Sequence, residues 1–408
     1  MDTARCACVI VGGGPAGMMA GFLLARAGIK VTVLEKHADF LRDFRGDTIH
    51  PSTLELMHEL GLLADFLKLP HQKVTQLRGK VGTDELTIAD FRHLPVAAPY
   101  IAFMPQWDFL DFLADEGRKF PHFDLRMSTQ ATDLIMADGK TVGVRASGPG
   151  GESELRADLV IAADGRGSIL RERAGLEVHD LGAPMDVLWF RMPREASDPG
   201  DVMGVFDAGR IVVLINRGDY WQCAFVIKKG GQAELQARGL IPVQEALRRA
   251  APFLGERVRT LESWDQLKLL VVKVDRLETW HKPGLLCIGD AAHAMSPVGG
   301  VGINLAIQDA VAAANILWRP LREGSVAMGD LAAVQARRLL PTRVVQRMQV
   351  AVQRRIISGV LGSDKPVRAP WYLKLAAGIP MARRIPARIV GLGVRPEHIR
   401  SPHLPPAA

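Results

Sequence analysis

The chain has 408 residues, 48% of them hydrophobic and 23% charged, with a formal net charge of +7. This is an ordinary globular composition with room for one large or two joined domains, and it excludes collagen-like, coiled-coil and disordered chains. A long stretch free of Asp, Glu, Lys and Arg, 291–308, is broken by Gly, Pro, His and Asn, and the first residues lack a signal core, so a soluble cytoplasmic protein is expected.

The run CACVIVG at 6–12 is apolar and rich in Val, as in a strand buried on both faces. Cys6 and Cys8 fall on one face of it; with Cys223 and Cys287 they show neither CxxC nor zinc spacing and read as buried, reduced thiols. The eleven histidines form no metal-ligand pattern, so no metal is expected. Pro15 opens the helix PAGMMAGFLLARAG, Gly28 closes it, and KVTVLEK at 30–36 is a second short strand. Together these make a β-α-β unit.

Gly12-x-Gly14-x-x-Gly17 falls where the first strand becomes the helix. Gly12 permits a sharp turn, and Gly14, before Pro15 and Ala16, leaves room for a pyrophosphate at the helix N-terminus. Gly17 lets helix and strand approach closely. Glu35, followed by Lys36, ends the second strand, where a carboxylate accepts hydrogen bonds from ribose hydroxyls and repels a 2′-phosphate. The unit predicts a dinucleotide site.

Further along, Pro51 begins a helix within RGDTIHPSTLELMHELGL (45–62). Residues 72–104 alternate like short strands, and QWDFLDFLADEGRKF (106–120) has the period of an amphipathic helix. ADLVIAADGRGSILRERAG (157–175) reads as a buried strand opening into a turn and helix. Between 186 and 227, DVLWFRM, DVMGVFD, RIVVLIN and YWQCAFVI are separated by turn residues and suit an antiparallel sheet. GLLCIGDAAHAMSPVGGVGINLAIQDAVAAANILW (284–318) gives a strand, a Gly/Pro-rich loop and a long helix. Helix fills most of the remainder, with Pro341 expected to kink or divide it.

From Thr342 onward the chain carries twelve Lys or Arg against Asp364 and Glu397. A solvated helical face accounts for this, and no nucleic-acid motif accompanies it. WYLKLAAGIPMARRIPARIVGLG (371–393) mixes apolar and cationic residues, so a weak membrane-surface contact is the alternative. Pro380 and Pro386 should break any continuous amphipathic helix there, which favours internal packing.

Three separated motifs, GGGPAG with Glu35, ADGRGSILR (163–171) and IGDAAHAMSPVGGVGINLAIQDA (288–310), together resemble the group A flavoprotein monooxygenases, the para-hydroxybenzoate hydroxylase family. The resemblance spans most of the first 320 residues. It implies an α/β fold: a Rossmann-like FAD-binding domain with an interleaved substrate domain built on an antiparallel sheet, and a helical C-terminal region. The FAD-binding domain is placed at 1–70, 105–175 and 281–340, the substrate domain at 71–104 and 176–280, and the basic helical region at 341–408.

It also implies noncovalent FAD, with NADPH or NADH as co-substrate. By resemblance Asp290 hydrogen-bonds the ribityl chain, Asp164 and Gly165 serve FAD and the pyridine nucleotide, and Arg45 and Gln106 contact the flavin. Gly299, Gly300 and Gly302 let the backbone approach the ring, and the helix N-terminus stabilises reduced flavin at its pyrimidine edge. Asn304 fits the position nearest that edge, and Pro297 the proline whose carbonyl faces substrate.

The implied reaction is hydroxylation of a small aromatic or phenolic molecule by NAD(P)H and dioxygen through a flavin C4a-hydroperoxide, in a monomer or homodimer. Trp189, Phe190, Met203, Phe206 and Trp221 are candidates for the pocket lining, and His50 for a general base beside it, with His293 equally open to either a structural or a chemical role. The rival readings are a halogenase or reductase on the same fold, or a noncatalytic redox sensor. The Trp-x-Trp-x-Ile-Pro signature of many halogenases is absent.

Overall fold

The computed structural model describes residues 3–41, 48–200, 203–363, 365 and 367–404. Strand β1 (Thr3–Val11), helix α1 (Pro15–Arg26) and strand β2 (Val31–Leu34) form the expected crossover, with the two strands parallel. Cys8 to Val11 are buried without interruption, and burial of each Val or Ile side chain stabilises by about 1.5–3 kcal/mol. All four cysteines are buried and free.

β1 and β2 belong to an eight-stranded sheet. Its centre is parallel, in the order Leu285–Cys287, Gly151–Ala162, β1, β2, Phe123–Arg126. Strands Gln130–Ala137 and Lys140–Gly148 form an antiparallel extension on Gly151–Ala162. The return of Leu285–Cys287 to this sheet delivers the second glycine-rich loop beside the first.

A seven-stranded sheet runs Lys268–Leu270, Met185–Pro193, Tyr220–Lys228, Arg210–Asn216, Met203–Asp207, Gln76–Val81, Asp84–Asp90. Every neighbouring pair is antiparallel except Met203–Asp207 with Gln76–Val81. Alternation along the strands divides its faces. Leu188, Phe190, Met192, Trp221 and Cys223 look onto one core, covered by Val243, Ala246 and Leu247 of helix Ile241–Ala250. Met185, Val187, Trp189, Ile211 and Ala224 look onto the other, closed by Val298 of the second glycine-rich loop and by Ile357 and Val360.

The expectations about proline are met in part. Helix Met328–Val352 runs through Pro341 undivided. Its stripe Arg338, Thr342, Gln346, Gln349 is buried, with Arg338, Gln346 and Gln349 donating to Asp309 and to the Asp275 and Ser296 carbonyls, and these contacts outweigh the one backbone bond that proline removes. The break expected at Pro380 occurs, between helices Trp371–Gly378 and Pro380–Gly391, with Pro380 at the start of the second, where no N–H is needed, whereas Pro386 lies inside it. This helix packs internally through Ala387 and Gly391, yet Met381 and Ile385 remain exposed. On helix Met328–Val352 the cations Arg343 and Arg347 are exposed, as a solvated face requires. Among the described residues one segment, Val298–Glu323, is long and apolar enough to cross a membrane, but 72% of it is buried inside the protein.

Candidate functional site

The chain leaves β1 at Gly12, whose φ is +107°. A Cβ there would lie 2.3 Å from the Ala163 carbonyl oxygen, and one on Gly17 would lie 1.9 Å from the Gly12 oxygen. A Cβ on Gly14 would meet nothing within 4 Å. Gly12 and Gly17 are therefore demanded by the protein's own packing, whereas Gly14 borders open space. α1 begins at Pro15 with no side-chain cap, so its first-turn N–H groups are left for an anion. Glu35, buried at the end of β2, accepts the Gly13 N–H through Oε2 and the His37 N–H through Oε1, each at 3.0 Å. Lys36 beyond it is exposed.

The other two motifs converge on the same loop. Gly12 abuts Ala163 and Asp164, and Gly289 is wedged between Ala16 of α1 and Ala306 of helix Gly302–Glu323, where a Cβ on it would lie 3.1 and 3.2 Å from their Cβ atoms. Asp164 Oδ2 accepts the Ile169 N–H at 3.0 Å and caps helix Ile169–Arg173. Its Oδ1 is buried without a partner among the described residues, and burial pushes the carboxyl pKa up. Gly165 has φ +84° and an open Cβ direction. Asp290 is paired with Arg166, whose Nη2 donates to Oδ2 at 3.0 Å, while Arg166 Nη1 is buried and unpartnered among the described residues. Gln106 is half-buried at the first turn of helix Gln106–Arg118. Arg45 lies outside the described residues.

The second glycine-rich loop is held from two sides. Pro297's carbonyl accepts the Gly300 N–H at 3.0 Å, and Thr48 Oγ1 donates to the Gly300 carbonyl at 3.0 Å. On the far side Gln349 accepts the Ser296 N–H and donates to the Ser296 and Val298 carbonyls, at 3.1, 3.0 and 2.9 Å. Gln353 Nε2 donates to Ser296 Oγ at 2.6 Å, at the start of a π-turn over Gln353–Ile357. Helix Gly302–Glu323 then begins, again without a side-chain cap.

The side chain of Asn304 is engaged inside the protein. Its Oδ1 accepts the His50 N–H at 3.0 Å and the Thr53 hydroxyl at 2.8 Å, while its Nδ2 faces the carbonyls of Thr48 and Gly300 at 3.3 and 3.4 Å. Both ends of the amide are spent inside the protein. Its side chain positions the loop; only backbone N–H groups at this turn remain for a ring edge.

The pocket candidates separate by sheet face. Trp189 pairs with Ala224 and Trp221 with Met192, and residues paired across strands share a face, so Trp189 and Trp221 are opposed. Trp221 is buried against Phe253 with its Nε1 donating to Asp198 at 2.9 Å; it belongs to the outer core, as does Phe190. Trp189 and Phe206 lie on the inner face with Val298. The Met203 side chain lies outside the described residues. His50 is fully buried, with Nδ1 2.7 Å from the Val390 carbonyl; burial lowers its pKa to about 4, so it is a poor proton acceptor at neutral pH. His293 is buried beside Trp280 with Nε2 2.5 Å from Asp309 Oδ2, inside the protein core.

Sequence reading passed over Arg166, Thr48, Thr53 and the glutamine pair Gln349 and Gln353. Arg166 stood inside a motif already singled out. The glutamines carried a readable signal, since Gln346, Gln349 and Gln353 recur at helical spacing, but a polar stripe on a helix ordinarily faces water.

The residues present fit FAD: an open cradle at Gly14, two uncapped helix N-termini, and orphaned polar atoms on Asp164 and Arg166 between them. Comparison with known proteins agrees. The family model described as FAD binding domain matches residues 5–348. The chain is 32% identical to 6-methylpretetramide 4-monooxygenase of Streptomyces rimosus over 392 residues, 95% of this chain and 93% of that one. The crystal structure of p-nitrophenol 4-monooxygenase PnpA from Pseudomonas putida DLL-E4 superposes with TM-score 0.75 at 22% identity, covering 94% of each chain. The flavin-dependent brominase Bmp2 superposes with TM-score 0.77 at 18% identity, covering 97% of this chain and 95% of that one, and so shares the fold.

Proposed function

Because the chain belongs to the FAD-binding-domain family of group A flavoprotein hydroxylases, and is an FAD-dependent aromatic monooxygenase using NAD(P)H, we propose that it hydroxylates a phenolic, fused-ring substrate held between the second glycine-rich loop and the inner face of the seven-stranded sheet. One observation carries the assignment of the site: three motifs distant in sequence close around Gly14, the only one of the three fingerprint glycines Gly12, Gly14 and Gly17 whose Cβ direction is open.

In this reading Gly12–Gly17 and Glu35 hold the ADP half of FAD, Asp164 and Asp290 lie along its middle, and the Gly299–Gly302 turn receives the ring. Bound FAD supplies an acceptor for hydride from NADPH or NADH and a centre at which dioxygen is reduced. The chain's own share is electrostatic and steric. The uncapped N-terminus of helix Gly302–Glu323 stabilises negative charge at the ring edge, and Trp189, Val213 and Val298 keep water from the reacting side. The fused-ring class is favoured by the relative from Streptomyces rimosus, which acts on 6-methylpretetramide and aligns along nearly the whole chain.

The fold alone does not choose between hydroxylase, halogenase and reductase. Isotope incorporation does. Protein reconstituted with FAD should oxidise NADH or NADPH faster when a phenolic fused-ring compound is added, and ¹⁸O₂ should place one labelled oxygen in the product. Stimulated NAD(P)H oxidation with a reduced, unlabelled product would replace this reading with a reductase.

A further inference from the structure

We infer that the pocket reads two polar groups on its aromatic substrate: a phenolic hydroxyl, which donates to the Nε2 lone pair of His50, and a carbonyl, which accepts from Nε1–H of Trp189. The inference rests on the monooxygenase reading above and deepens it, since it specifies what the substrate must carry.

The tautomer of His50 follows from its partner. A carbonyl oxygen only accepts, so the 2.7 Å contact with Val390 places the imidazole proton on Nδ1. Nε2 is then a bare acceptor. It is buried, on a side chain with no exposed surface, and has no partner among the described residues. Trp189 offers the complement: its Nε1–H, which can only donate, is also buried and unpartnered among the described residues. Leaving one such group unsatisfied costs about 1–3 kcal/mol, so an orphaned acceptor and an orphaned donor each point to a ligand group that satisfies them.

Their surroundings agree. Val390, which fixes the His50 ring, packs in one apolar cluster with Trp189 and Val213, and in another with Met295, Val301 and Leu305 at the second glycine-rich loop. Trp189 and Val298 of that loop pack against one further apolar cluster. Both polar atoms therefore belong to residues gathered where the inner sheet face meets the flavin loop. An imidazole lone pair attracts a neutral O–H and repels a phenolate. With a pKa of about 4, His50 leaves the proton on the phenol and serves as a fixed acceptor, not a base.

The test is a binding titration of FAD-loaded protein at pH 7, read by the flavin absorbance, with 2-hydroxy-9-fluorenone, its methyl ether 2-methoxy-9-fluorenone, and 2-hydroxyfluorene. The hydroxy ketone should bind about tenfold tighter than either analogue, the factor expected of one neutral hydrogen bond. His50→Asn keeps a donor for the Val390 carbonyl but lacks Nε2, and should abolish the preference over the methyl ether. Trp189→Phe should abolish the preference over the fluorene while leaving the other intact. Equal binding of all three probes, preferences that survive both substitutions, or no saturable binding of any probe would overturn the inference. Failure of the monooxygenase reading would register separately, as absent ¹⁸O incorporation, because this titration reads binding alone.

Discussion

At the scale of single residues, the glycines sort themselves by what surrounds them. A methyl group on Gly17 would stand 1.9 Å from the Gly12 carbonyl oxygen, so Gly17→Ala must push helix from strand and should destabilise the apoprotein. Gly14 has φ −75° and open space ahead of it, so Gly14→Ala should leave the apoprotein's thermal midpoint almost unchanged. Its methyl would stand in the pyrophosphate cradle, and FAD affinity should fall at least about tenfold, or 1.4 kcal/mol. Equal FAD affinity in Gly14→Ala would move the pyrophosphate away from this loop. The spacing of these glycines was legible because backbone geometry, not tertiary context, demands it. The roles of Asn304 and His50 were not. An asparagine beside a glycine turn gives no sign that Thr48, Thr53 and His50 will consume both ends of its amide.

At the scale of elements, hydrophobic period identified the β-α-β unit, the helix at Gln106 and the strands between 186 and 227, since each buries a face of matching periodicity. Which face of the sheet meets the flavin domain depends on register, and so Trp221 was placed with Trp189 when it stands opposite. Prolines 341 and 386 misled for a related reason: local propensity was outweighed by packing. The stripe of helix Met328–Val352 that holds its place also holds the loop. Gln349 makes three hydrogen bonds to Ser296 and Val298, on either side of Pro297. Gln349→Met, similar in volume but unable to bond, leaves those backbone groups unsatisfied at about 1–3 kcal/mol each at most. FAD affinity should change little, because the fingerprint loop is untouched. The loop should loosen, and more NAD(P)H should be consumed per molecule hydroxylated, with the balance appearing as hydrogen peroxide. Unchanged coupling between NAD(P)H consumption and product would show that the loop keeps its place without the helix.

At the scale of the molecule, one of the ties between the C-terminal segment and the nucleotide fold is a buried cation. Arg338 is fully buried and donates to Asp309 and Glu397, each at 3.0 Å, and to the Arg395 carbonyl at 3.1 Å. Asp309 in turn accepts the Gly289 N–H at 3.1 Å, one residue before Asp290. A single charge thus connects residues 395–397 with the flavin loop. Burial alone would raise the Asp309 pKa, but His293 and Arg338 outweigh it and hold the carboxyl below its ordinary range. A depressed folded value means that this contribution to stability is present above about pH 4, the unfolded value, and is lost as pH falls further. Removing either carboxylate leaves the buried guanidinium with one carboxylate in place of two, at a cost of at most about 3–5 kcal/mol. Asp309→Asn and Glu397→Gln should therefore both lower the thermal midpoint, but only Asp309→Asn loosens Gly289 and should also weaken FAD. If Glu397→Gln weakens FAD equally, the brace transmits strain through Arg338 to the loop, and the C-terminal segment tunes the cofactor site from a distance. If it lowers the midpoint alone, the segment is a clasp whose energy stays in the fold.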